Sequence, residues 1–127
     1  MYDAIVVGAR CAGSPTAMLL AREGFRVLVL DRASFPSDTL SAHYVHQPGV
    51  ASLKRWGLLD QVAASNCPPA REQIFDVGPF QLWGTPPPAG DAAEAYAPRR
   101  TVLDQILVEA AAAAGVEVRE RFSVTDL

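Results

Sequence analysis

Residues 3–32 read DAIVVGARCAGSPTAMLLAREGFRVLVLDR, in the order strand, glycine turn, helix, strand and terminal acid. Ala4–Val7 is an unbroken apolar run, the pattern of a parallel strand covered on both faces. Gly8 can take the sharp turn out of that strand, and Gly13 has no side chain to hold the following helix away from the sheet. The helix is expected over residues 11–23, with Pro15 in its first turn, where a missing N–H costs little, and Gly24 at its end. Its first turn aims N–H groups and the positive end of the helix dipole at whatever sits above Gly8, which favours a pyrophosphate. Residues 26–30 form the return strand, and Asp31 closes it twenty-three residues after Gly8. A carboxylate there can accept both ribose hydroxyls of an adenosine and would repel a 2′-phosphate. The expected fold class is therefore α/β, a Rossmann-like βαβ dinucleotide-binding unit with a parallel sheet in a three-layer arrangement.

The usual fingerprint, GxGxxG, has a glycine where this chain has Arg10. That glycine lets the backbone approach the diphosphate closely, so a Cβ at position 10 must point away or shift the loop. The plain alternative is a βαβ unit with no ligand. The strand before, the helix after and the acid at the end of the second strand favour nucleotide binding.

A chain of 127 residues is one domain or part of one, and half of its residues are hydrophobic, enough to bury a core. The net charge of −3 gives no field that would attract a polyanion, and the 11 Lys and Arg residues are scattered, so nucleic acid is not an expected partner. No apolar run approaches the ~18 residues of a spanning helix. The N-terminus has Asp3 in place of a basic segment, and its apolar run is too short for a signal peptide, so the cytoplasm is the expected compartment. Two cysteines, Cys11 and Cys67, do not make a disulfide framework. Cys11 at a helix N-terminus occupies a position where a thiol pKa can be depressed; the plainer reading is a small residue packed in the turn.

After Asp31 the chain is irregular until TLSAHYVHQPGV at residues 39–50. Pro48 and Gly49 open a short helix with Val50, Leu53 and Trp56 on its apolar side; Gly57 breaks it, and Leu58, Leu59, Val62 and Ala63 predict another helical turn. From Glu72 the signal is β: Ile74, Phe75 and Val77, then Phe80, Leu82 and Trp83, flank Gly78 and Pro79 as a hairpin would. Trp56 and Trp83 are expected in core and hairpin packing. A proline-rich surface loop covers residues 84–91. Thr101 is the expected cap of the next helix, with Asp104 three residues on as a weak capping box. Leu103, Ile106, Leu107, Ala110 and Ala114 form its apolar stripe, Gly115 ends it, and residues 116–119 alternate as a third strand at the sheet edge would.

Two segments give the chain a family resemblance. VVGARCAGSPTAMLLAREGFRVLVLDR at residues 6–32 resembles the flavoprotein monooxygenase superfamily of the aromatic-hydroxylase type, with its halogenase and geranylgeranyl-reductase relatives, many of which write the turn GARxAG and follow the acid with Arg. RTVLDQIL at residues 100–107 is similar to the RxxLDxxL segment that follows the first excursion into the substrate domain. The resemblance implies that Gly8, Ala9, Arg10, Cys11, Ala12 and Gly13 surround the FAD pyrophosphate, that Asp31 holds the adenosine ribose and that Arg32 lies beside the adenine. It also implies that Arg100 lies near the diphosphate and ribityl chain, with residues 38–41 passing close to the flavin. A guanidinium forks two phosphate oxygens, so Arg100 suits that role chemically. His43 and His46 share i, i+3 spacing, but the Gly, Pro and Ser around them argue for a loop and no further soft ligand follows, so no metal site is expected. No residue is assigned as catalytic.

The resemblance divides the chain into an N-terminal part of the FAD-binding domain (1–68), a β-hairpin excursion belonging to a β-rich substrate domain (69–98), and a return to the FAD-binding domain (99–127). The family's later signatures, a DG pair and a strand carrying GD, do not occur within these residues. In this topology one edge of the first strand also has no parallel partner. The expectation is the N-terminal portion of a larger FAD-dependent oxidoreductase, a monooxygenase with NAD(P)H as reductant and a small organic molecule as substrate; the oligomeric state stays open. An NAD-linked reductase and a non-catalytic nucleotide-binding module are the alternatives.

Overall fold

The computed structural model describes residues 1–126, which form two compact units. The first comprises residues 1–41 and the chain from Arg99 onward, the second Ala42–Pro98. Compactness thus groups residues 42–68 with residues 69–98, and the bridges Val45 to Tyr96 and Ala70 to Ala95 tie one residue of each segment to the same stretch of chain.

The first unit is built on three parallel strands, β1 (Ala4–Val7), β2 (Val27–Leu30) and β5 (Glu117–Arg119), in the order β1-β2-β5. The register sets Val6 beside Val29 and Val29 beside Val118. Helix α1 (Gly13–Arg22) connects β1 to β2, and α4 (Arg100–Ala113) precedes β5. The two helices pack on one another and on the same face of the sheet. Met18, Val27, Val29, Leu107 and Ala111 lie in the core between them. Burying each such Met, Val or Leu side chain stabilises by roughly 1.5–3 kcal/mol.

Coverage on both faces describes β2, whose four residues are all buried, but not β1. Ile5 and Val7 are 60% and 56% exposed, because β1 lies at the sheet edge and these two side chains point to the face opposite the helices. On α4 the buried stripe is turned from the expected one: Val108 and Ala111 are buried, whereas Ala110 and Ala114 are half-buried. Thr101 does not cap this helix. Arg99 occupies the N-cap position with no side-chain hydrogen bond, and Asp104 is drawn into the interior by partners from elsewhere in the chain.

In the second unit α2 (Gln47–Trp56) carries Pro48 in its first turn and closes at Gly57, whose φ of +79° is left-handed. Helix α3 (Leu59–Ala64) follows, and Val50, Leu53, Leu58 and Val62 are buried between and beside the two helices. Strands β3 (Gln73–Asp76) and β4 (Gln81–Gly84) pair antiparallel with Ile74 opposite Trp83. Asp76 Oδ1 accepts the Gly78 N–H at 2.8 Å, fixing the turn. Trp83 is 64% exposed and is not packed as the sequence suggested, since a two-stranded hairpin offers no second layer against which to bury it. Trp56 is half-buried. Among the described residues no helix is long and apolar enough to cross a membrane, and no cluster of His, Cys, Asp and Glu could hold a metal.

Candidate functional site

The β1–α1 turn borders a cleft of about 580 Å³ within the first unit. Its floor and walls include Gly8, Arg10, Ala12 and Gly13 of the turn, Asp31 and Arg32 from the end of β2, and Phe122, Ser123 and Val124 beyond β5. Gly8 leaves the strand with φ of +99°, and a Cβ built there would meet nothing within 4 Å. Gly13 is the opposite case: a Cβ would lie 1.7 Å from the Gly8 carbonyl oxygen and 3.2 Å from a Val6 methyl. The helix start therefore sits directly on the turn and on β1, and no side chain caps it at Ala12.

Asp31 does more than end a strand. Its carboxylate is almost buried and accepts the Ala9 N–H at 2.7 Å through Oδ2 and the Ala33 N–H at 2.8 Å through Oδ1. It thereby ties the glycine turn to the end of β2. Each oxygen keeps acceptor capacity beyond one such bond. Arg32 beside it is exposed at the rim.

Six of the nine expected site residues, Gly8, Arg10, Ala12, Gly13, Asp31 and Arg32, border this cleft. Ala9, Cys11 and Arg100 lie elsewhere. Ala9 is wholly buried, while Cys11 and Arg100 turn toward Asp104. The Asp104 side chain is fully buried on α4. Its Oδ1 accepts from Arg100 Nε at 3.0 Å and from the Cys11 thiol at 3.3 Å. Its Oδ2 accepts from Arg100 Nη2 at 3.1 Å and from Arg10 Nη1 at 2.5 Å. The residue is exposed, but partial desolvation of its thiol and then the hydrogen bond to Asp104 raise the Cys11 pKa to about 11, the reverse of the depressed value a helix N-terminus could give. Cys11 is consequently a thiol donor at neutral pH.

Asp104, read from the sequence only as a weak capping acid, instead gathers Arg10, Cys11 and Arg100. Its signal was present: Asp104, Leu107, Val108 and Ala111 share one helical face, and an acid among buried apolar positions calls for a partner. Ser37, which accepts from Arg10 through its hydroxyl at 3.0 Å, carried no such signal.

The arrangement has known counterparts. The family model described as FAD binding domain matches residues 1–127. Rifampicin monooxygenase of Streptomyces venezuelae is 33% identical over 125 residues, which cover 94% of this chain and 25% of that protein. The 6-hydroxy-3-succinoylpyridine 3-monooxygenase of Pseudomonas putida is 33% identical over 129 residues, 96% of this chain and 32% of that one. The myxobacterial chondrochloren halogenase, an FAD-dependent halogenase of known structure, superposes with a TM-score of 0.81 at 28% identity over 94% of this chain and 28% of its own. The chain thus spans a quarter to a third of the length of these relatives. With its βαβ unit, glycine turn and terminal acid, the chain belongs to the FAD-binding domain family.

Proposed function

We propose that residues 1–127 form the adenosine-diphosphate cradle of an FAD-dependent monooxygenase that acts on a small organic substrate in the cytoplasm, with NAD(P)H as reductant. The observation that carries this reading is the cleft itself, where a bare glycine turn, an uncapped helix start and an acid meet. These residues fit the nucleotide arm of FAD. The turn's backbone and the α1 N-terminus would receive the diphosphate, since N–H groups and the helix dipole favour negative charge there. Asp31 would accept the ribose hydroxyls with the capacity left beside its two backbone bonds. Arg32 would flank the adenine.

Bound FAD would supply the redox chemistry, taking electrons from the reductant and activating oxygen for transfer to the substrate. This chain's own contribution is binding and orientation. The buried tie from Asp31 to the Ala9 N–H fixes the turn before any ligand arrives, so ordering it adds little cost on binding. Monooxygenase chemistry and the substrate class draw their support from the names of the relatives, and NAD(P)H as reductant from the family resemblance of the sequence alone.

The test is a titration of FAD into the full-length apoprotein, followed by flavin fluorescence. Asp31→Ala should weaken binding by roughly 1.5–3 kcal/mol, through loss of charge-assisted contacts. Equal affinity in mutant and parent would sink the ribose assignment. FAD-dependent NAD(P)H oxidation by the parent tests the reductant.

A further inference from the structure

We propose that Asp104 is a positioning residue for the dinucleotide turn: its buried carboxylate holds the Arg10 guanidinium off the path of the diphosphate, and so lets this chain keep a long side chain at the middle of its glycine fingerprint. The inference rests on the FAD reading above. A side chain at that position stands where a diphosphate and the backbone must approach one another. Arg10 borders the cleft, yet its guanidinium is drawn across to α4 and to the segment before Thr39. Nη1 lies 2.5 Å from Asp104 Oδ2, Nη2 lies 3.0 Å from the Ser37 hydroxyl, and the guanidinium carbon lies 5.3 Å from the centre of the Phe35 ring. The side chain is thus tethered from three sides.

The charge count separates this role from simple neutralisation. Arg100, four residues before Asp104 on the same helix, already meets both carboxylate oxygens with Nε and Nη2. One bidentate guanidinium suffices to compensate a buried carboxylate, so a second arginine is not required by Asp104. Arg10 is the member that needs the bond. With Asn in place of Asp104 the guanidinium loses its one ion pair and keeps only uncharged partners, the Ser37 hydroxyl, the Ser37 and Asp38 carbonyls at 3.4 Å and the Phe35 ring, which hold its long side chain off the turn less firmly.

The experiment is a double-mutant cycle in the full-length protein, reading the FAD dissociation constant by flavin fluorescence and the folding of each apoprotein by its thermal midpoint. Asp104→Asn should raise the dissociation constant at least tenfold when Arg10 is present and less than threefold in the Arg10→Gly background. Equal losses in both backgrounds would overturn the proposal, because a purely structural Asp104 costs the same with or without its guest. Arg10→Lys provides a test that leaves Asp104 in place: lysine keeps the charge but cannot fork between Asp104 and Ser37. It should bind FAD less tightly than Arg10→Gly. Tighter binding by the lysine variant would show that a freed cation helps the diphosphate, and would overturn the proposal alone. Failure of the unaltered protein to bind FAD would overturn the cradle reading and this inference together.

Discussion

Gly13 and Cys11 show how much a single position in the turn decides. At Gly13 the obstacle is backbone: a methyl would lie 1.7 Å from the Gly8 carbonyl, so the helix must lift off β1 or the turn must open. Gly13→Ala should therefore cost about 1–3 kcal/mol or more in a urea titration and lower flavin content with it. A mutant as stable as the parent, with full flavin, would show that the helix can move without consequence. Cys11 makes the complementary case for chemistry. Its pKa is raised from 9.0 to about 11, first by partial desolvation of the thiol and then by the bond to Asp104, so the folded state holds the proton more tightly than the unfolded chain. Any stability this contributes is fully present below pH 9 and is lost as pH rises through about 11. Alkylation of Cys11 by iodoacetamide should be slower than that of a free thiol at pH 8 and should keep accelerating up to about pH 11. Modification at the free-thiol rate at pH 8 would contradict the contact with Asp104.

Among the elements, β1, α1 and β2 were legible in the sequence because each is set by local rules: an apolar run, a turn glycine, a proline in the first turn, an acid at the strand end. Helix α4 was legible in extent and in most of its buried face, Leu103, Ile106 and Leu107, but not in the part that carries Asp104, Val108 and Ala111. Asp104 lies on that part of the face because it bonds Arg10 at a separation of 94 residues, and no local pattern reports such a partner. The hairpin was placed by Gly78 and its alternating strands, whereas its exposed Trp83 depends on what lies against it, which periodicity does not record. At this scale Arg100 is a structural tie as well as a cofactor candidate. Arg100→Lys loses the bidentate grip on Asp104 while keeping charge and helix propensity, so stability should fall by about 1–3 kcal/mol. If flavin affinity also falls by more than the loss of folding explains, Arg100 reaches the cofactor; unchanged affinity would confine it to holding α4.

For the whole molecule the informative feature is apolar surface left uncovered. In the first unit Ile5 and Val7 are more than half exposed on the open face of an edge strand. In the second, Phe75, Phe80, Leu82 and Trp83 are each 58–67% exposed on a two-stranded hairpin. Hairpins of two strands are marginal in water without a third strand or a helix against them, and an apolar edge strand is a template for pairing with another chain. The relatives carry roughly three to four times this length. Produced by itself, the 127-residue chain should associate, and, on the cradle reading proposed above, it should hold FAD below one equivalent because the cleft takes the adenosine diphosphate arm. Light scattering after size exclusion, with flavin absorbance on the same peak, measures both properties. Ile5→Lys with Val7→Thr should shift the peak toward monomer, since charge on an edge blocks pairing. A monomer from the unaltered chain, carrying stoichiometric FAD and oxidising NAD(P)H, would show that these exposed surfaces need no covering and that the cradle alone is enough for catalysis.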